Sequence, residues 1–82
     1  MSKIDKLYSK MKNNPKEVSF HEITTLCEHY GCTVRNESGG SHYSIRHSKI
    51  NRTLIVANHD PIKKPYVLDV LQFIDELKED EK

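Results

Sequence analysis

Gly39-Gly40-Ser41-His42-Tyr43-Ser44-Ile45-Arg46 is the stretch on which the fold turns. Two glycines open a turn, after which polar and apolar side chains alternate. A repeat of two residues is the period of a half-buried β-strand. His42, Ser44 and Arg46 fall on one face, Tyr43 and Ile45 on the other. A histidine just after a glycine turn, with an arginine four residues on along the same face, can bind a phosphate and move a proton beside it.

The flanking segments extend this strand into a sheet. Residues 32–36 alternate again, with Cys32 and Val34 toward a core and Thr33 and Arg35 toward solvent. Glu37-Ser38-Gly39-Gly40 makes the turn between the two runs. Ser48-Lys49-Ile50-Asn51 makes the next turn, and residues 52–58 form a third run around Thr53-Leu54-Ile55-Val56-Ala57. That run is β-branched and apolar on both faces, which suits a central or well-covered strand. Connections this short imply an antiparallel meander.

Helical patterns bracket the strands. Residues 2–12 place Ile4, Leu7, Tyr8 and Met11 at helical spacing, with Ser2 and Asp5 resembling a capping box and Asn13-Asn14-Pro15 ending the run. Ser19-Phe20-His21-Glu22 is a stronger capping box, followed by Phe20, Ile23, Leu26, Cys27 and Tyr30 on one side and a stop at Gly31. His21 and His29 fall on its polar side. His59-Asp60-Pro61 leaves the sheet. A last helix spans residues 65–78, opened by Pro65, with an apolar stripe of Val67, Leu68, Leu71, Ile74 and Leu77. The order α-α-β-β-β-α predicts an α+β fold, helices on one face of a three-stranded antiparallel sheet. The free face then carries Arg35, His42, Ser44 and Arg46. Residues 1–82 form one domain, with residues 1–16 an N-terminal helical extension and residues 19–78 the core.

Eighty-two residues suffice for one small domain with a modest core. The formal charge of +1 hides an asymmetry. Between Arg35 and Lys64 there are six basic and two acidic side chains, whereas the last eight residues hold five acids and two lysines. The middle of the chain favours a polyanion, and the tail reads as a solvated helix end. Cys27 and Cys32 do not make a CxxC and read as small buried apolar residues. No signal-peptide pattern or long apolar run is present, so the expectation is a cytoplasmic protein with reduced thiols and no membrane partner.

An imidazole exchanges protons near neutral pH. RNA supplies its own nucleophile, the 2′-hydroxyl beside each phosphate. Cleavage needs that proton removed, the phosphorane charge stabilised and the leaving 5′-oxygen protonated. His42 has the residue type and the neighbours for the proton transfers, which are typically worth about 10²–10⁴-fold in rate. Arg35, Ser41, Ser44, Arg46 and Lys49 are the candidate phosphate contacts, with Arg52, Lys63 and Lys64 as further basic candidates. A lone strand histidine is also compatible with a plain surface position, and the lysines of the first helix with a solvated face. Tyr43 could stack on a base, but its phase points to the core. Metal ligation has no support in spacing: His42 and His47 fall on opposite faces, and no HExxH or carboxylate cluster exists. No cofactor-binding glycine loop is present, since Gly39-Gly40 precedes a strand.

Taken together, the helix ending at Gly31, the Gly40-Ser41-His42 strand opening, the third strand ending at His59 and the closing Lys64-Pro65-Tyr66-Val67 helix start resemble the HicA toxins. Those are small mRNA interferases of toxin–antitoxin pairs, and the similarity covers residues 19–77. The resemblance implies a fold like the double-stranded-RNA-binding domain and metal-independent ribonuclease activity on mRNA. It makes His42 the catalytic residue and implies a HicB-type antitoxin as partner. It also implies a supporting role for Gly40 and for His59, which matches a histidine common after the third strand. The chain departs from the family at Cys32, where many members have phenylalanine, and at Tyr43, where a second histidine often stands. The first helix extends beyond the smallest members. Two other functions fit the residues alone: a non-catalytic RNA-binding module of the same fold, and a protein-interaction subunit that docks through its sheet.

Overall fold

The computed structural model describes residues 3–36, 39–59 and 61–80. Helix α1 spans Lys3–Asn13, α2 Phe20–His29 and α3 Lys64–Asp80; strands β1, β2 and β3 span Thr33–Asn36, His42–His47 and Ile50–Ala57. The three strands form one antiparallel sheet in the order β1-β2-β3. The chain is therefore α+β, with the α-β-β-β-α order of the double-stranded-RNA-binding domain preceded by one extra helix.

Helix α2 begins where its capping box predicts. The Glu22 amide donates to Ser19 Oγ at 3.2 Å, and the Ser19 amide donates to Glu22 Oε1 at 3.0 Å. Such a cap contributes about 1 kcal/mol. Lys10 of α1 also pairs with the Glu22 carboxylate, which links the first two helices. Burial pushes the Glu22 carboxyl up, but Lys10 and the Ser19 amide pull it further down, leaving it below the usual carboxylate range. Gly31 ends the helix at φ +85°, a conformation that costs glycine little. A Cβ there would lie 3.4 Å from His47 Nε2, so this glycine also lets β2 approach the end of α2. The cap expected at Ser2 lies outside the described residues, as do Glu37 and Ser38 of the first turn and Asp60.

One face of the sheet packs on the helices. Ile45, Leu54 and Val56 point inward to Ile23, Leu26, Val67, Phe73 and Ile74, all within one buried cluster. Helices α2 and α3 lie against the sheet, while α1 packs on α2 and α3. Tyr8 of α1 donates a hydrogen bond to Asp75 of α3, and the Lys78 ammonium sits 3.6 Å from the centre of the Tyr8 ring. Burial and the Asp75 carboxylate push the Tyr8 phenol up to about 12.

Three expectations need correction. β3 is an edge strand, and β2 is the central one. Its apolar residues divide by face: Leu54 and Val56 are buried, while Ile55 points to the other side and is 52 % exposed. The second turn is shorter than expected, since Ile50 pairs with His47 and only Ser48 and Lys49 connect the strands. In α3 the buried side is Val67, Val70, Leu71, Phe73, Ile74 and Leu77, and Leu68 is 47 % exposed. Leu68 stands about 100° from Val67 around the helix, on the flank opposite Val70 and Phe73. A helix held between α1, α2 and the sheet needs a wider apolar arc than a one-sided stripe. Val18 and Ile62, in connections, also enter the core; the Ile62 amide donates to the Val18 carbonyl at 2.8 Å.

Candidate functional site

The face turned away from the helices is set by register. Arg35 pairs with Ser44 and Ser44 with Ile55; Thr33 pairs with Arg46; His42 pairs with Ala57. Because alternate residues share a face, Thr33, Arg35, His42, Ser44, Arg46 and Ile55 all belong to this outer surface. Arg35, His42 and Arg46 are exposed there, as the alternation predicts.

Ser44 departs from expectation. It lies on the outer face but is 1 % exposed, and its hydroxyl points to the Arg35 carbonyl at 3.5 Å. A small side chain in the central strand is overshadowed by its longer cross-strand neighbours Arg35 and Ile55. Ser44 is thus a packing residue, and its place among the phosphate contacts is withdrawn.

The remaining candidates divide between two ends of the sheet. Gly40, Ser41, His42 and His59 gather at one end. There the Asn58 amide donates to the Ser41 carbonyl at 2.6 Å, and the His59 amide to the Ala57 carbonyl at 3.0 Å. Ser41 and His59 are both exposed. Asn36, which pattern reading passed over, braces the turn before His42: its Nδ2 donates to the Gly40 carbonyl at 2.6 Å and its Oδ1 accepts from the Gly39 amide. An asparagine at a turn is the available signal for this role. On the helix side of the same end, Tyr43 packs on Phe20 with ring centroids 4.6 Å apart, in keeping with its core phase.

Arg46 and Lys49 lie at the other end. Four residues at about 3.3 Å each put Arg46 about 13 Å along the strand from His42. Arg35 is closer, a diagonal cross-strand neighbour of His42 at about 7–8 Å between backbones. Arg46 also sits at an irregularity: it alone spans the gap that Asn51, Arg52 and Thr53 fill on β3. Arg52 stands two residues before the inward-facing Leu54 and so shares its helix side, where its guanidinium lies 5.5 Å from the Phe73 ring centre and pairs with Glu76. Arg52 therefore ties β3 to α3 and does not join the outer face. Lys64 is remote as well, lining a hollow with Asn13, Asn14, Pro15, Lys16 and Glu17.

The other histidine of β2 has a structural task. The Lys49 amide donates to His47 Nδ1 at 3.0 Å, so Nε2 carries the hydrogen and donates to the Tyr30 carbonyl at 3.0 Å. His47 thus joins the β2–β3 turn to the end of α2. Among the described residues no three His, Cys, Asp or Glu side chains converge on a point that could hold a metal ion. No described helix is long and apolar enough to cross a membrane. Comparison with models of known families, with curated proteins and with solved structures returned no match for this chain.

Proposed function

We propose that this chain is a cytoplasmic, metal-independent endoribonuclease, the toxin of a HicA-type toxin–antitoxin pair. The observation that carries the reading is His42: it is exposed at the head of the central strand, on the face away from the helices, with Arg35 as its diagonal neighbour. RNA bound along this face presents a phosphate and its adjacent 2′-hydroxyl to the imidazole. The 2′-oxygen attacks phosphorus and the bond to the 5′-oxygen breaks. One proton leaves the 2′-hydroxyl and one reaches the 5′-oxygen; His42 carries out a proton transfer. Arg35 stabilises the charge that builds on the phosphoryl oxygens. Ser41 and Gly40 shape the approach to His42, and His59, two residues beyond the partner of His42, supports that end of the site. Arg46 and Lys49 hold a neighbouring phosphate of the strand.

The protein partner of this reading would dock on the same surface, over Ile55. Ile55 stands half exposed on the edge strand, diagonal to both His42 and Arg46, where a second chain could cover it. A HicB-type antitoxin seated there would cover Ile55 and His42 together and so block mRNA. The test is purified protein incubated with RNA in the presence of a chelator, wild type beside His42→Ala. The reading expects cleavage by the wild type and its loss in a variant with unchanged circular dichroism. Equal cleavage by both, in preparations cleared of other nucleases, would overturn the role of His42. Salt-sensitive RNA binding without cleavage by the wild type would favour the binding module.

A further inference from the structure

Helix α2 closes in a Schellman motif. The Cys32 amide donates to the Cys27 carbonyl at 3.0 Å, and the Gly31 amide to the Glu28 carbonyl at 3.0 Å, with Gly31 at positive φ. This motif brings the side chains at its first and last positions into contact, usually as an apolar pair. Here both positions are cysteine. Cys27 is fully buried and Cys32 is 7 % exposed, and both are free thiols. The neighbouring Cys32 sulfur and burial push the Cys27 thiol up, and the neighbouring Cys27 draws the Cys32 thiol down. The pair sits where α2 meets β1, at the end of the sheet opposite His42, and the proposed ribonuclease reaction does not use it.

We propose that Cys27 and Cys32 form a redox site that reacts with a low-molecular-weight disulfide such as oxidised glutathione and closes into an intrachain disulfide. Cys32, the more accessible and more acidic thiol, attacks one sulfur of glutathione disulfide as thiolate. The glutathione S–S bond breaks, a mixed disulfide forms on Cys32, and the first glutathione thiolate leaves with the proton from Cys32. Cys27 then attacks the Cys32 sulfur, the mixed disulfide breaks, and the second glutathione leaves with the proton from Cys27. The two protein thiols are oxidised by two electrons, and one glutathione disulfide is reduced to two thiols. The new bond joins two residues whose backbones the Cys32 amide to Cys27 carbonyl hydrogen bond already holds together, so the fold is retained and the junction between α2 and β1 becomes covalent. In a reducing compartment such a pair responds to oxidant and is restored by reduced thiols.

The test equilibrates the reduced full chain in glutathione buffers of rising oxidised-to-reduced ratio, followed by acid quench, alkylation in denaturant and intact mass. The expected product lacks two hydrogens, carries no alkylating group and yields a peptide joined from Cys27 to Cys32. It unfolds several degrees above the reduced chain and reverts with reductant. Cys27→Ser should instead keep one glutathione on Cys32, whereas Cys32→Ser should keep its buried Cys27 unmodified. A peptide of residues 27–32 serves as the unstructured reference. The proposal is overturned if the folded wild type keeps both thiols at ratios that oxidise this peptide. It is equally overturned if a stable mixed disulfide is the end product, or if oxidation unfolds the chain. The wild-type mass decides the matter even where a serine variant does not fold.

Discussion

Arg35 lies directly across from Ser44 in the β1–β2 ladder, which brings it closer to His42 than Arg46, although Arg46 shares the strand of His42. The two arginines should therefore act differently. Arg35→Ala is expected to lower kcat/KM for RNA by about tenfold or more while KM changes less, as for loss of a group that stabilises developing charge. Arg46→Ala should chiefly weaken RNA binding and reduce the salt dependence of affinity by about one phosphate contact. Single-turnover cleavage and binding titrations at several salt concentrations separate the two. Equal effects of both variants on cleavage would remove the distinction drawn from register. Ser44→Ala, at a buried hydroxyl, should leave cleavage intact and cost no more than about 1 kcal/mol in denaturant unfolding.

Asn36 fixes the backbone that leads into His42 through hydrogen bonds to Gly39 and Gly40. Asn36→Ala should cost about 1 kcal/mol of stability. It should also lower RNA cleavage, because the turn before His42 is no longer held to β1. Asn36→Asp keeps the acceptor and should recover part of the loss. Thermal unfolding and cleavage rates on the three proteins check this, and full activity in Asn36→Ala would show that the turn holds its shape without the side chain.

Core composition of α3 gives a sharp contrast between two large apolar residues. Phe73 is fully buried under the Arg52 guanidinium, whereas Leu68 is about half exposed. Phe73→Ala is expected to destabilise by about 3–5 kcal/mol, enough to unfold much of a domain this small. Leu68→Ala should stay within about 0.5 kcal/mol. Urea titrations that reversed this ranking would contradict the orientation of the helix.

Glu22 predicts how stability responds to acid. Its carboxyl is held below the usual range despite burial, through Lys10 and the Ser19 amide. A depressed carboxyl binds its proton more weakly in the folded than in the unfolded chain. Its stabilisation is present above the ordinary glutamate value of about 4.3 and is lost as pH falls through the lower folded value. Glu22→Gln retains the capping geometry but not the charge, so its unfolding midpoint should vary less with pH in that acid window than the wild type. Identical slopes would show that the Lys10 and Ser19 contacts do not govern the titration.

Local chemistry determined much of this protein on its own. The Ser19–Glu22 cap, the stop at Gly31 and the alternation through His42 all act over a few residues, and each is in place in the fold. The outward exposure of Arg35, His42 and Arg46 follows from the same period of two. What tertiary structure alone decided is which of these residues are neighbours and which are covered. Register set Arg35 diagonal to His42 and placed Arg46 at the far end, because pairing partners are chosen between strands and not along one. Packing against Phe73 and pairing with Glu76 tied Arg52 to α3, and long cross-strand neighbours buried Ser44. Helix α3, gripped from more than one side, buries Val70 and Phe73 and leaves Leu68 out. A periodic stripe records that a helix has an inner face, but the width of that face depends on how many partners press against it.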